Sequence, residues 1–326
     1  MSDALLEIEH LNIVYGGSQR QVTAVNDASL AIRRGEVVGL VGESGSGKST
    51  LANSILGILP RTTAITGSMR FNGTELVGLS EAEINKQVRW REISIVFQKA
   101  LAALSPVHRI DEHMIDILRA HDPSLSNAQI RDRMAKLMTL VRLPPETVRS
   151  YPHQLSGGML QRIMIAMSLL FDPPFVILDE ATTALDVLTQ RQILNEIRRL
   201  QREFNLTVLM ISHDIAAVAE NANRIVVMYA SQIVEDGPAD AVINAPSHPY
   251  TKALLSALPR LDAPAGGRIK SIPGSLPDLS RPLNQCVFAP RCSAAIDVCW
   301  KAVPEVRASA PGHTGKCVLV NEAQPQ

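Results

Sequence analysis

Cysteine is absent from the first 285 residues of this 326-residue chain, and all four that exist, Cys286, Cys292, Cys299 and Cys317, fall near its end. A body without thiols excludes a fold stapled throughout by disulfides. Net charge is lacking too, because 32 Lys and Arg are matched by 32 Asp and Glu. No field of one sign draws in nucleic acid or an acidic membrane surface, so a polyanion partner is disfavoured. Aromatic residues make up only 4%, yet 46% of the residues are hydrophobic. That is enough to bury a sizeable core, as one large domain with an appendage. No run approaches the roughly 18 consecutive apolar residues of a spanning helix. The opening "MSDALLEIEHLNIVYGG" has no basic stretch followed by an apolar one. These absences point to a cytosolic protein, and in a reducing compartment clustered cysteines are more often metal ligands than disulfides. Internal repeats and heptads are missing as well, which excludes solenoids and coiled coils.

What is present is an alternation of short apolar runs and helical patterns. "EVVGLVG" (36–42), "ISIVFQ" (93–98), "FVILDE" (175–180) and "TVLMISHD" (207–214) read as strands buried on both faces. Helical segments such as "TQRQILNEIRRLQREF" separate them, and the alternation predicts a parallel, doubly wound α/β sheet. Beyond about residue 245 the texture changes. "SHPYTKALLSALP" offers one short helix, and the Pro, Gly and Ser of "RLDAPAGGRIKSIPGSLPDLSRPLN" predict an irregular segment before the cysteines.

"GESGSGKST", from Gly42 to Thr50, fits the phosphate-loop pattern with its strand before and its helix after. Gly42, Ser44, Gly45, Gly47 and Thr50 build the loop and the helix start. The glycines let successive N–H groups turn onto phosphate oxygens, and the helix N-terminus adds partial positive charge. Lys48 would reach the β and γ phosphates, and the Ser49 hydroxyl would ligate Mg²⁺. At the end of "FVILDE", Asp179 can hold the magnesium and Glu180 can polarise an attacking water. A bland glycine turn and a solvated acidic corner are the alternatives, and each is weakened by the other motif.

Five further stretches, in order, resemble the motifs of ABC-type ATPases. "LSGGMLQR" (155–162) resembles their signature, Gln98 their Q-loop, "TALD" ending at Asp186 their D-loop, His213 in "ISHD" their H-loop, and Tyr15 the aromatic that stacks on adenine. The resemblance covers residues 5 to about 245. It implies a P-loop NTPase cassette of the α/β class, with a RecA-like parallel core, an antiparallel β subdomain and a helical subdomain over about 99–160. Ser156, Gly157 and Gly158 begin a helix, so they offer a second anion site that one chain with one nucleotide cannot use together with its own loop. The family resolves this with a head-to-tail dimer, in which ATP on one loop is covered by the partner's signature. Gln98 is then implied as a magnesium contact and part of the catalytic set with Glu180 and His213, while Asp186 lies at the nucleotide.

Within the superfamily, "VGESGSGKST", "SHPYTKALLSALP" and "CVFAPRCSAAIDVC...GHTGKC" look like the ATP-binding subunits of dipeptide and oligopeptide importers. The expected division is a cassette over 1–245 and a small irregular extension over 246–326. The branch implies two transmembrane permease subunits, a second cassette that is usually a paralogue, an extracytoplasmic substrate-binding protein, and a place on the cytoplasmic face of the inner membrane. Nickel chelates, glutathione and oligosaccharides are alternative cargoes. A soluble ABC ATPase acting on ribosomes or DNA, and a nucleotide-regulated redox or metal sensor, are rival readings. The chain departs from the branch at Lys99 and Ala100, where Asp-Pro is usual, at Ser105, and at Ser231, which replaces a hairpin glycine and would be strained at positive φ. The four cysteines are separated by five, six and seventeen residues. They lack paired C-x₂-C knuckles, so spacing alone leaves zinc, an iron–sulfur cluster and unligated thiols open. The resemblance favours a [4Fe–4S] cluster.

Overall fold

The computed structural model describes residues 3–16, 21–97, 103–182, 185–257, 272–281 and 283–320. Two compact units divide the chain, one formed by Met1–Gly78 with Ser212–Gln326 and the other by Leu79–Ile211.

In the first unit, β1 (Ala4–Tyr15) lies antiparallel to both β2 (Val22–Arg33) and β4 (Ala64–Phe71), and β5 (Thr74–Glu75) closes that sheet. Leu6, Ile8, Leu11 and Ile13 of β1 are buried. A second sheet is built on β3 (Val37–Val41), whose five residues are all buried. β3 pairs in parallel with β9 (Arg224–Tyr229), Val41 facing Val227. Burial on both faces explains why this strand is a continuous apolar run. Gly39 has a packing reason: a Cβ there would stand 2.0 Å from Val218 of helix α7 (Ile215–Ala219).

β10 (Gln232–Pro238) returns antiparallel to β9 through Ala230 and Ser231, with Tyr229 facing Gln232. Both loop residues have positive φ, 46° and 70°. That is the two-residue hairpin of type I′, usually built with Asn and Gly. The positive φ foreseen for Ser231 is therefore real. Three hydrogen bonds hold it: its Oγ donates to Thr23 O at 2.6 Å, its N–H to Ser46 O at 3.1 Å, and its C=O accepts from Asn26 at 2.8 Å.

The C-terminal segment is more regular than its composition suggested. β11 (Arg307–Ala310) and β12 (His313–Gly315) form a hairpin, and β12 extends the sheet by pairing with β10, Glu235 facing Gly315. Helices α1 (Lys48–Ile55), α8 (Ala239–Asn244) and α9 (Pro249–Ser256) complete this unit with α7.

In the second unit, β6 (Ile93–Val96), β7 (Phe175–Asp179) and β8 (Thr207–Ser212, its last residue outside the unit) run parallel, β7 in the middle. Around them lie α2 (Glu81–Gln87), α3 (Ile110–His121), α4 (Asn127–Leu140), α5 (Gly157–Ser168) and α6 (Val187–Phe204). Capping boxes at Ser80 and Ser126 fix the starts of α2 and α4. Arg133 of α4 donates to the carbonyls of Leu169 and Leu170, satisfying the orphan end of α5. Among the described residues no helix is long and apolar enough to cross a membrane.

Candidate active site

The phosphate loop follows β3 directly, and its glycines are dictated by sterics. Gly42 has φ 154°, and a Cβ on it would meet Met228 O at 2.1 Å. Gly47 has φ 104°, and a Cβ there would meet Ala24 O at 2.2 Å. Neither position admits a side chain, so the loop is closed by backbone of β2 and β9. Lys48 is buried and folded back on the loop, donating to Gly42 O at 2.8 Å, Glu43 O at 2.9 Å and Ser46 Oγ at 3.3 Å. These contacts keep the ammonium at the loop, where a phosphate oxygen would be a stronger, charge-assisted partner. The Tyr15 hydroxyl lies 3.2 Å from Thr50 Oγ1, donating to it, which puts this half-buried aromatic beside the start of α1. Ser49 and Thr50 stand in the first turn of that helix.

Glu43 is held from the far end of the chain. Its N–H donates to the Tyr250 hydroxyl at 2.9 Å, and its carboxylate receives Arg291 in a bidentate pair, Nη1 to Oε2 at 2.8 Å and Nη2 to Oε1 at 3.0 Å. Tyr250 packs against Tyr229 and Phe288 with ring centroids 4.5 and 5.5 Å away. Burial raises the Tyr250 hydroxyl well above the usual phenol range, and the hydrogen bond to Glu43 raises the already basic Arg291 further. Composition gave no signal for this group. An arginine in "FAPRC" reads as a surface residue until the fold buries it.

In the second unit, Asp179 ends β7 as a buried carboxylate, and Glu180 follows it with φ 48°. Its N–H continues the ladder to Ile211 O at 3.0 Å. A left-handed glutamate is uncommon, and such backbone strain collects at functional sites. Ser156 caps α5 by accepting from Met159 N–H at 3.3 Å, and Gly157 and Gly158 form its first turn. Gly158 is forced by packing, since a Cβ would lie 2.8 Å from Thr189 Cγ2. Thr189 in turn donates its hydroxyl to Asp186 at 2.6 Å, and Asp186 caps α6 through Leu188 N–H and Thr189 N–H at 3.1 and 3.0 Å. The Thr189 hydrogen bond lowers the Asp186 carboxyl below its ordinary range. The signature turn and Asp186 are thus packed together through one threonine.

His213 is exposed between β8 and α7, in the unit that holds the phosphate loop. Gln98, with Lys99 and Ala100, lies outside the described residues.

The four cysteines carry no disulfide. Cys286, Cys299 and Cys317 are buried and Cys292 is half-buried. Cys286 donates its N–H to Cys299 O at 2.9 Å, and Leu319 N–H donates to Cys317 Sγ at 3.4 Å. Burial raises the thiols of Cys286, Cys292 and Cys317, with neighbouring cysteines adding to the rise. Among the described residues, however, no three His, Cys, Asp or Glu are grouped so as to hold a metal ion. The donor chemistry of four thiols suits a soft metal centre.

Comparison with known proteins matches residues 25–183 to the family described as "ABC transporter". Residues 234–299 match "Oligopeptide/dipeptide transporter, C-terminal region". The oligopeptide transport ATP-binding protein OppD of Escherichia coli (strain K12) is 42% identical over 318 residues, covering 97% of this chain and 93% of that protein. A probable peptide ABC transporter ATP-binding protein of Sinorhizobium fredii (strain NBRC 101917 / NGR234) is 39% identical over 98% of this chain and 96% of its own length. Among solved structures, a dimeric ATP-binding cassette in a post-hydrolysis state bound to ADP and Pi is 27% identical, with a TM-score of 0.64, over 72% of this chain and 98% of that one.

Proposed function

The chain belongs to the ABC transporter family of ATP-binding cassettes, and from that premise we propose that it binds and hydrolyses ATP to drive uptake of oligopeptides or dipeptides. The observation that carries this reading is the phosphate loop, whose two glycines cannot bear a Cβ and whose buried lysine is folded onto the loop's own carbonyls. When a triphosphate enters, Lys48 exchanges Gly42 O and Glu43 O for phosphate oxygens. The first-turn amides of α1 face the same anion. Ser49, Asp179 and Gln98 are the residues that would hold Mg²⁺, which supplies charge neutralisation on the phosphates. Tyr15 stacks on the adenine, Glu180 orients the attacking water, and His213 contacts the γ-phosphate. Gly45, Ser44 and Gly47 shape the cradle. Ser156, Gly157 and Gly158 of a second cassette, with Asp186, close over the nucleotide from the other side, so binding closes the dimer and hydrolysis lets it reopen.

The partners in this reading are two permease subunits, a second cassette and an extracytoplasmic binding protein, which hold the chain at the cytoplasmic face of the membrane. Peptide cargo is favoured over nickel chelates, glutathione or oligosaccharides because the relatives named for peptides match along nearly the whole chain, including the C-terminal region. The cassette over 1–245, with a helical subdomain near 99–160, then does the nucleotide work, and 246–326 is its appendage. The deciding experiment is ATP turnover of the assembled transporter, unaltered and with Glu180→Gln. A fall of at least about 10²-fold is expected; an unchanged rate removes Glu180 from the mechanism.

For the tail we propose a [4Fe–4S] cluster on Cys286, Cys292, Cys299 and Cys317. Four cysteines free of disulfides in one segment, and an N–H aimed at the Cys317 sulfur, support it. When bound, the cluster would cross-link four points of a loop-rich segment and stabilise it. Protein purified without oxygen should contain iron and sulfide in nearly equal amounts and absorb in the thiolate-to-iron region. Stoichiometric zinc without sulfide overturns the assignment.

A further inference from the structure

Arg291 sits in a short 3₁₀ turn, Ala289–Arg291, one residue before Cys292 and five after Cys286. Its side chain is 6% exposed. A guanidinium carries five N–H donors, and here every one is used. Nε donates to Pro273 O at 2.7 Å, Nη1 to Glu43 Oε2 and the Tyr229 hydroxyl at 2.8 and 3.2 Å, and Nη2 to Glu43 Oε1 and Ile272 O at 3.0 and 3.2 Å. The same group lies 5.6 Å from the centre of the Tyr229 ring.

A buried charge so fully partnered is rigid, because any displacement leaves an unpaired group in a low-dielectric setting. Its anionic partner belongs to the phosphate loop. Glu43 lies between Gly42 and Ser44, and four partners fix it: Arg291 at the carboxylate, the Tyr250 hydroxyl at the N–H, and Lys48 and the Ser46 N–H at the carbonyl. Two of the four, Tyr250 and Arg291, come from residues beyond 245. When nucleotide draws Lys48 away, those two remain with the Ser46 amide, and they alone among these partners hold the Glu43 carboxylate and N–H. Tyr229 and Phe288 join the two supports, with ring centroids 5.2 Å apart, and Met228, beside Tyr229, is the residue whose carbonyl closes on Gly42.

We propose that Arg291 is a positioning residue for the phosphate loop, acting through Glu43, so that the cysteine-bearing tail sets how well the loop holds nucleotide. The inference rests on the reading that this loop binds nucleotide. It deepens that reading by giving the appendage a part in the cassette's own chemistry. Linkage makes the effect reciprocal: if the tail favours the nucleotide-ready loop, bound nucleotide must favour the ordered tail by the same factor. Lysine cannot replace Arg291, because an ammonium has no planar fork for the carboxylate and cannot also reach Tyr229, Ile272 and Pro273.

The test is titration of the anaerobically purified full chain with Mg²⁺ and ADP, comparing Glu43→Gln, Arg291→Gln, Arg291→Lys and the Glu43→Gln/Arg291→Gln pair. Each single substitution should raise the dissociation constant at least about fivefold, with Arg291→Lys no better than Arg291→Gln. The double variant should bind no worse than the weaker single, because both remove one interaction. Folded single variants that bind within about twofold of the unaltered chain, or losses that multiply in the double, overturn the proposal. If the Arg291 variants fail to fold, Glu43→Gln decides alone. In the unaltered chain ADP should slow amide hydrogen exchange over residues 286–292, and in Glu43→Gln it should not. Equal slowing in both overturns the coupling. A chain that binds no ADP at all fails differently, since that outcome removes the nucleotide reading and this inference with it.

Discussion

Two helices of this chain begin at glycine-rich turns, and their cap positions are built in opposite ways. At α5 the chain caps itself, with the Ser156 hydroxyl taking the Met159 amide. At α1 the residue in the cap position is Gly47, in a left-handed conformation and with no side chain to offer. Gly47 therefore places no side chain between the first turn of α1 and an anion, the kind of partner helix N-termini commonly take. The supports differ as well. The α5 turn is braced by neighbours in the same unit, Thr189 and Leu185, both near Asp186. The phosphate loop is braced by β2, by the Ala230–Ser231 turn, and by Tyr250 and Arg291 from the tail. A loop that must accept a ligand cannot cap itself, so its shape has to be imposed from outside.

The largest test of that contrast is Lys48→Ala. It should reduce ATP turnover by about 10²- to 10³-fold, and nucleotide binding measured by fluorescence should fall with it, while thermal unfolding changes little. A comparable loss from Ser156→Ala in a single cassette without partner would show that the two helix ends do not divide the work as described.

Acid gives the second test, because it acts on the supports of the loop and spares those of α5. His248 Nδ1 accepts from the Tyr250 amide at 3.0 Å, and burial lowers its pKa from 6.5 to about 4, against the opposing pull of Glu235. Between those values the unfolded chain takes up a proton that the folded chain refuses. Stability that is complete above pH 6.5 should therefore decline as pH falls toward 4, by up to about 3 kcal/mol from this group. Urea midpoints at pH 7 and pH 5 should differ in the unaltered chain and differ less in His248→Gln.

A smaller effect probes the α5 side. Gly158→Ala brings a methyl to 2.8 Å from Thr189 Cγ2, and overpacking of this kind costs about 1–3 kcal/mol. Adding Thr189→Ser, which keeps the hydroxyl on Asp186 and removes the methyl, should recover most of the loss in a thermal melt. The smallest effect is expected for Ser231→Gly. Glycine relieves a left-handed backbone but loses the 2.6 Å bond to Thr23 O, and the two changes, each about 1 kcal/mol, should nearly cancel.

The sequence was readable where the physics is local. "VVGLVGESGSGKST" declares a buried strand, a loop and a helix within one stretch, and "FVILDE" declares a central strand ending in acids. In the structure these are β3, α1 and β7 with boundaries close to those expected. What escaped notice depends on distant partners. "RASAPGHTG" (307–315) has little strand propensity, yet it forms β11 and β12 because the edge of β10 supplies hydrogen bonds. Ser231 can be flagged as awkward from the sequence alone, but its anchors, Thr23, Asn26 and Ser46, cannot. Arg291 gives no hint of burial, since only the fold brings Glu43 to it across 248 positions.

The pairing of β12 with β10 bears on where this chain can be shortened. Glu235 of β10 is 1% exposed, and its carboxylate accepts from His313 Nε2 and from the amides of Ser247 and His248. Ending translation after Asn244 would strip every one of those donors from a buried anion and bare the rim of the sheet. Such a fragment would tend to recruit strands from its neighbours and aggregate. The residues after Asn244, which look dispensable beside an intact set of nucleotide motifs, supply the donors that this buried carboxylate and the edge of β10 use.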